Sequence, residues 1–138
     1  MSDAFADTGF WIAFLSPRDA LHVQARRLQA MQQFDRIITT EMVLAEFLND
    51  IGSRGTKMRL AASQFVTTLR GHAEVRFVPQ TSAQFWDAAA VYHERTDKAW
   101  SLTDCASFLV MREHGLQDAL TYDHHFEQMG FRALLRGG

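Results

Sequence analysis

The sequence predicts an α/β protein built on a largely parallel sheet with helices on both faces. Short apolar segments alternate with longer segments of helical periodicity along the chain. Two of the apolar segments run directly into an aspartate, Asp7 and Asp123. Punctuating residues stand at the junctions: Gly52, Gly71 and Gly115 close helical stretches and Pro79 closes a strand.

Phe5 and Ala6 lead into Asp7 with Gly9 after it, which reads as a short buried strand stopping at an acid and a turn. Residues 22–31 have a helical pattern. Residues 36–40, with Ile37 and Ile38 between polar ends, read as a second strand, after which Val43, Leu44, Phe47, Leu48 and Ile51 fall on one helical stripe. Residues 53–56 form a loop around Gly55, and residues 58–69 resume a helical pattern through Leu60, Ala61, Phe65 and Leu69. Val75 and Phe77 alternate with Glu74 and Arg76 as a third strand. Thr81 or Ser82 then caps a long helix through Phe85, Ala89 and Tyr92. Residues 104–114 read as a buried helix ended by Gly115, residues 119–122 as a strand running into Asp123, and residues 131–135 as a last strand.

A length of 138 residues suits one domain, expected over residues 1–138, and is too short for two well-filled cores. With 47% hydrophobic and 22% charged residues the composition is that of an ordinary globular protein. The single Cys105 excludes an intrachain disulfide framework, and no signal peptide is recognisable, so a reducing cytoplasm is the expected compartment. The fully apolar stretches, residues 10–15 and 108–111, are far below the roughly 20 residues of a membrane helix. No repeat, low-complexity segment or linker interrupts the chain.

The formal charge of −2, from 14 bases and 16 acids, does not by itself announce a nucleic-acid binder. Gathering four carboxylates into one metal site would leave 12 acids against 14 bases, a surface of +2 around an acidic pocket. That distribution suits a polyanion cut with the help of a metal ion. The bases are twelve Arg with only Lys57 and Lys98, and the planar guanidinium fork matches phosphate, although helix faces and ion pairs use Arg equally well.

In open parallel sheets ligands sit beyond the carboxyl ends of the strands, where the strand order switches, which singles out Asp7 and Asp123. Most other acids, among them Asp19, Asp35, Asp50, Asp87, Asp97, Glu94 and Glu113, lie in polar stretches or on helix surfaces. Asp104 differs, because it follows Ser101 and Thr103 and opens the apolar run Cys105, Ala106, Phe108, Leu109 and Val110. Its position equally fits a carboxylate favoured by the helix dipole.

Ala6-Asp7-Thr8-Gly9, the segment 40–49 with Glu46, Ser101-Leu102-Thr103-Asp104-Cys105, and Thr121-Tyr122-Asp123-His124-His125-Phe126 before Gly130-Phe131 together resemble the PIN-domain ribonucleases, in particular the VapC-like toxins of bacterial toxin–antitoxin pairs. The resemblance spans nearly the whole chain and rests on four motifs in order. It implies a three-layer α/β/α sandwich with a mostly parallel central sheet. It also implies a catalytic quartet of Asp7, Glu46, Asp104 and Asp123, with Asp7, Asp104 and Asp123 at a Mg²⁺ (or Mn²⁺) ion. Further implications are an RNA substrate, a small antitoxin protein as partner, and a homodimer or toxin–antitoxin hetero-oligomer as the assembly. Glu46 depends most on the resemblance: at about 100° per residue it points away from the stripe of Val43, Phe47 and Ile51, as a solvated side chain would. Carboxylates suit such hard ions, and Mg²⁺ takes only one or two of them directly.

Arg54, Lys57 and Arg59 form a basic patch after the Glu46 helix, read as an RNA phosphate contact or else a solvated loop. His124 and His125 suggest zinc, but no second His or Cys cluster stands at ligand spacing, so they read as turn residues. Trp11, Trp86 and Trp100 read as core or oligomer packing residues and Cys105 as a small core side chain. Two other classes compete with a nuclease: a protein-binding scaffold of the same fold without catalysis, against which the intact quartet argues, and a phosphoacceptor receiver. The receiver needs paired acids at the first strand and a late Lys, whereas no second acid follows Asp7 until Asp19 and no Lys follows Lys98.

Overall fold

β1 (Ser2–Ala6) lies at the centre of the sheet, and its Ala4, Phe5 and Ala6 are wholly buried, as a strand covered on both faces requires. The chain continues through α1 (Thr8–Leu15), α2 (His22–Ala30), β2 (Phe34–Thr40), α3 (Glu41–Gly52), α4 (Thr56–Arg70) and β3 (Val75–Val78). It then forms α5 (Ser82–Glu94), α6 (Leu102–Glu113), β4 (Asp118–Leu120), α7 (His124–Gln128) and β5 (Arg132–Ala133). This computed structural model describes residues 2–31 and 33–136, so the outermost residues of the expected domain 1–138 lie outside the described residues.

Every strand pair is parallel, in the order β3-β2-β1-β4-β5. The helices cover both faces, giving the three-layer α/β/α architecture. The chain lays down β1, β2 and β3 outward in one direction, then returns to place β4 on the free side of β1. The order therefore switches between β1 and β4, where Ala6 pairs with Leu120.

The strand and helix expectations hold, with differences at the ends. α1 replaces the turn expected after Asp7: Phe10, Trp11 and Ala13 are buried and Ile12, Phe14 and Leu15 half-buried, so the helix is apolar all round and shows no amphipathic period. α6 begins at Leu102, two residues before Asp104, because Ser101 is its N-cap in a reciprocal capping box with Asp104. β4 ends at Leu120, and β5 has two residues where five were expected. His124 and His125 open α7 instead of forming a turn.

Two aromatic groups fill the layers. Trp11, Phe14, Phe47 and Phe65 meet between α1, α3 and α4, and Phe5, Phe126, Phe108 and Trp100 form a second chain of ring contacts. Trp86 lies outside the core, 67% exposed on α5, which leaves oligomer packing as the form of its expected role. Cys105 is buried, as its neighbours suggested. At the amino end of β4, buried Asp118 is held by Arg132 of β5 at 2.6 Å, an opposite-charge pair across the strands.

Candidate active site

Asp7 is the one residue between β1 and α1, and both elements hold its backbone. Its N–H donates to the Leu120 carbonyl at 3.2 Å, continuing the β1–β4 ladder, and its carbonyl accepts from the N–H of Phe10 at 3.1 Å to begin α1. The corner is braced from β2: the buried Thr39 hydroxyl donates to the Ala6 carbonyl at 3.0 Å and accepts from the Trp11 indole N–H at 3.2 Å. Ladder, helix start and brace thus orient the Asp7 carboxylate beyond the carboxyl end of the sheet.

Thr121, directly after β4, ties Asp7 to Asp123. Its hydroxyl donates to Asp7 Oδ2 at 3.0 Å and accepts from the Asp123 N–H at 3.0 Å. Asp123 is the N-cap of α7, its Oδ1 accepting from the His125 N–H at 2.9 Å. Asp104 arrives from α6, where its Oδ2 accepts from the Ser101 N–H at 3.0 Å while the Ser101 hydroxyl accepts from the Asp104 N–H. Asp104 is therefore a helix-start carboxylate and, at the same time, a member of the acid group.

Burial pushes the Asp7 carboxyl up to about 7, and the charges of Asp104 and Asp123 add to the rise against hydrogen bonds from the Thr8 N–H and Thr121. Burial likewise raises Asp104, reinforced by Asp123 and opposed by the Ser101 hydrogen bonds and by His125. Among the described residues no Lys or Arg pairs with Asp7, Asp104 or Asp123. Asp118 gives the contrast across the sheet: at the amino end of β4 its charge is met by Arg132, whereas beyond the carboxyl ends of β1 and β4 no Lys or Arg among the described residues meets the three aspartates.

His125 is the site residue that sequence reasoning missed. Its Nδ1 lies 2.9 Å from Asp123 Oδ1 and 3.4 Å from Asp104 Oδ2, and neither approach has hydrogen-bond geometry. The Asp-His-His run was visible, but its zinc reading lacked a further ligand because Asp104 comes from another helix. The buried Thr8 hydroxyl, next to Asp7, also has no hydrogen-bond partner.

Other expected residues stand apart. Glu46 is exposed on α3, has no hydrogen bond or ion pair among the described residues, and is not among the charges that raise Asp7. Arg54 is exposed and paired with Asp50 at 2.7 Å, while Lys57 and Arg59 lie exposed in the first two turns of α4, not in a loop. A cleft of about 50 Å³ between α3, α5 and α6, lined by Met42, Pro79, Phe85, Leu109 and Val110, contains none of the three aspartates. The donor set fits a divalent cation: two half-to-fully buried carboxylates meet at one imidazole, a third is raised by burial and further by their charge, and no Lys or Arg among the described residues offsets them.

Comparison with known proteins bears on the family and the fold. The chain is 32% identical over 130 residues to the Mycobacterium tuberculosis protein named 23S rRNA-specific endonuclease VapC20, in strains CDC 1551 / Oshkosh and ATCC 25618 / H37Rv, covering 92% of this chain and 94% of that protein. The crystal structure of M. tuberculosis VapC20, described as a sarcin-ricin loop cleaving toxin, superposes with a TM-score of 0.82 at 31% identity, over 95% of this chain and 97% of that one. The family model of the PIN domain matches residues 4–132, almost everything the sheet and its helices comprise. On that match, and on the superposition with VapC20 over 95% of this chain, the chain belongs to the PIN domain family.

Proposed function

We propose that this protein is a metal-dependent endoribonuclease, the toxin of a toxin–antitoxin pair, with Asp7, Glu46, Asp104 and Asp123 as its catalytic carboxylates. The observation that carries the reading is the uncompensated charge of Asp7, Asp104 and Asp123 at the β1–β4 switch point, while the buried Asp118 at the opposite end has its Arg132. Mg²⁺ or Mn²⁺ is the resident ion, held through Asp7, Asp104 and Asp123. When bound it polarises the scissile phosphate and acidifies water.

The side chains divide the work. Asp104 and Asp123 are positioned by helix-start hydrogen bonds to Asp104 Oδ2 and Asp123 Oδ1, each of which keeps a second lone pair for the ion. Asp7, bonded to Thr121, completes the set. Glu46 is the carboxylate left to orient or deprotonate the attacking water, a role supported by its motif position. Lys57 and Arg59, with Arg54 partly engaged by Asp50, supply phosphate contacts near the start of α4. The similarity to VapC20, named a 23S rRNA-specific endonuclease and a toxin, supports 23S rRNA as substrate and a small antitoxin as partner, and a homodimer or toxin–antitoxin hetero-oligomer is the assembly we propose. No helix among the described residues is long and apolar enough to cross a membrane, and we place this single domain in the cytoplasm.

The test is cleavage of 23S rRNA in intact ribosomes, and of a mixed RNA pool, with and without Mg²⁺ or Mn²⁺. Metal-dependent cuts by the purified protein that vanish in Asp7→Asn are expected. Full cleavage by a folded Asp7→Asn protein, or cleavage unaffected by chelator, would overturn the assignment.

A further inference from the structure

We propose that His125 is a nitrogen ligand to the ion, making the centre a mixed imidazole–carboxylate site that discriminates toward transition metals and away from Mg²⁺. The proposal rests on the metal-site reading above and adds to the carboxylates a donor of different chemistry. Its observation is an orphan: Nδ1 of His125 is buried, makes no hydrogen bond, and nevertheless sits 2.9 Å from Asp123 Oδ1 and 3.4 Å from Asp104 Oδ2. A buried nitrogen aimed between two carboxylate oxygens without bonding either is costly unless something binds all three.

The spacings match what a shared ion requires. Ligands at about 2.1 Å from one cation lie about 3 Å apart when cis in an octahedron and about 3.4 Å apart in a tetrahedron. The 2.9 Å separation falls on the octahedral edge and the 3.4 Å separation lies about 0.4 Å beyond it, a gap that a bound ion would close. Each donor is held by a hydrogen bond: Asp104 by Ser101 at the start of α6, Asp123 by Thr121 after β4, and His125 by its own N–H on Asp123 Oδ1. Asp123, His124 and His125 offer donor atoms within 4.8 Å of one another, but the His124 ring is 58% exposed and its Nδ1 is 3.9 Å from Asp123, so His125 is the assigned ligand. Mg²⁺ favours oxygen donors and keeps its water, whereas imidazole suits Co²⁺ and Zn²⁺, and binding strengthens from Mn²⁺ to Co²⁺.

The experiment reads binding, not cleavage. Metal-free wild-type protein, His125→Ala, His124→Ala and Asp123→Asn are titrated calorimetrically with Co²⁺ and with Mg²⁺, folding being checked by circular dichroism. Pulsed electron paramagnetic resonance of the Mn²⁺-loaded proteins looks for imidazole ¹⁴N coupling. The expected result is ¹⁴N coupling in wild type and His124→Ala that is lost in His125→Ala. Co²⁺ affinity should fall at least tenfold in His125→Ala while Mg²⁺ affinity changes less than threefold. Mn²⁺ bound at Asp123, as shown by its loss in Asp123→Asn, but without ¹⁴N coupling, or with coupling that survives in His125→Ala, would overturn the imidazole ligand and leave the carboxylate site standing. Absence of saturable binding by any of the ions would overturn both.

Discussion

Thr121 Oγ1 donates a 3.0 Å hydrogen bond to Asp7 Oδ2 across 114 positions of sequence, and the same oxygen accepts the Asp123 N–H. One buried hydroxyl thus couples the carboxylate after β1 to the backbone after β4. Replacing it by the isosteric Val removes both bonds and leaves a buried carboxylate without its side-chain donor. Thr121→Val is expected to lose about 1–3 kcal/mol of stability and about tenfold in cleavage rate. In an Asp7→Asn background the stability loss should be smaller, and a double-mutant cycle by urea unfolding measures the difference. Purely additive losses would show that the hydroxyl serves only Asp123.

Asp7 should make the metal-free protein sensitive to pH. Its folded carboxyl titrates near 7 while an unfolded aspartate titrates near 3.8, so between those values the folded state binds the extra proton. Its contribution to stability is therefore complete below about pH 4, is lost as the pH rises, and levels off above about pH 7. In chelator, Asp7→Asn is expected to be more stable than wild type at pH 8, with a ceiling of roughly 4 kcal/mol, and the two should converge near pH 4. Parallel stability curves for the two proteins across this range would contradict the buried, charge-crowded carboxylate.

Added Mg²⁺ or Mn²⁺ should raise the melting temperature at pH 8, because the ion binds only the folded arrangement and relieves the repulsion among Asp7, Asp104 and Asp123. At 100 times the dissociation constant the gain is about 2.7 kcal/mol, several degrees for a domain of this size. The shift should shrink in Asp7→Asn and Asp104→Asn. Scanning fluorimetry at millimolar metal reads it directly, and no shift in wild type counts against the site.

Lys57 and Arg59 should contribute more to RNA affinity than Arg54, since Asp50 already holds the Arg54 guanidinium. In cleavage-dead Asp7→Asn protein, Lys57→Ala or Arg59→Ala is expected to lower the salt slope of RNA binding by about 0.7–0.9. Arg54→Ala should change it less, with metal affinity unchanged throughout. Equal slopes in all of the variants would assign the α4 start to solvent or to a protein partner.

Much of this molecule follows from local pattern. The strand before Asp7 and the strand before Asp123 were legible because burial on both faces of a parallel sheet demands continuous apolar runs, which stop where the ligand edge begins, and the helix carrying Asp104 was legible from its apolar run, though its start lies two residues earlier at Leu102. α1 was not legible, since a helix apolar all round has no period to betray it. Glu46 could be named by its motif and by nothing in its periodicity, and in the fold it stands exposed on α3.

Pattern alone could not rank the acids or find the imidazole. Asp118 opens β4 and Asp123 lies three residues beyond its carboxyl end; the pairing of β4 with β5 brings Arg132 to the first, while among the described residues no Lys or Arg pairs with the second. His125 acquires meaning only when α6 delivers Asp104 to within 3.4 Å of its ring. A one-dimensional string carries the propensity of each segment to form its element. The charge environment of a buried group depends instead on distances between segments remote in sequence, and those exist only once the sheet order has brought β1 beside β4.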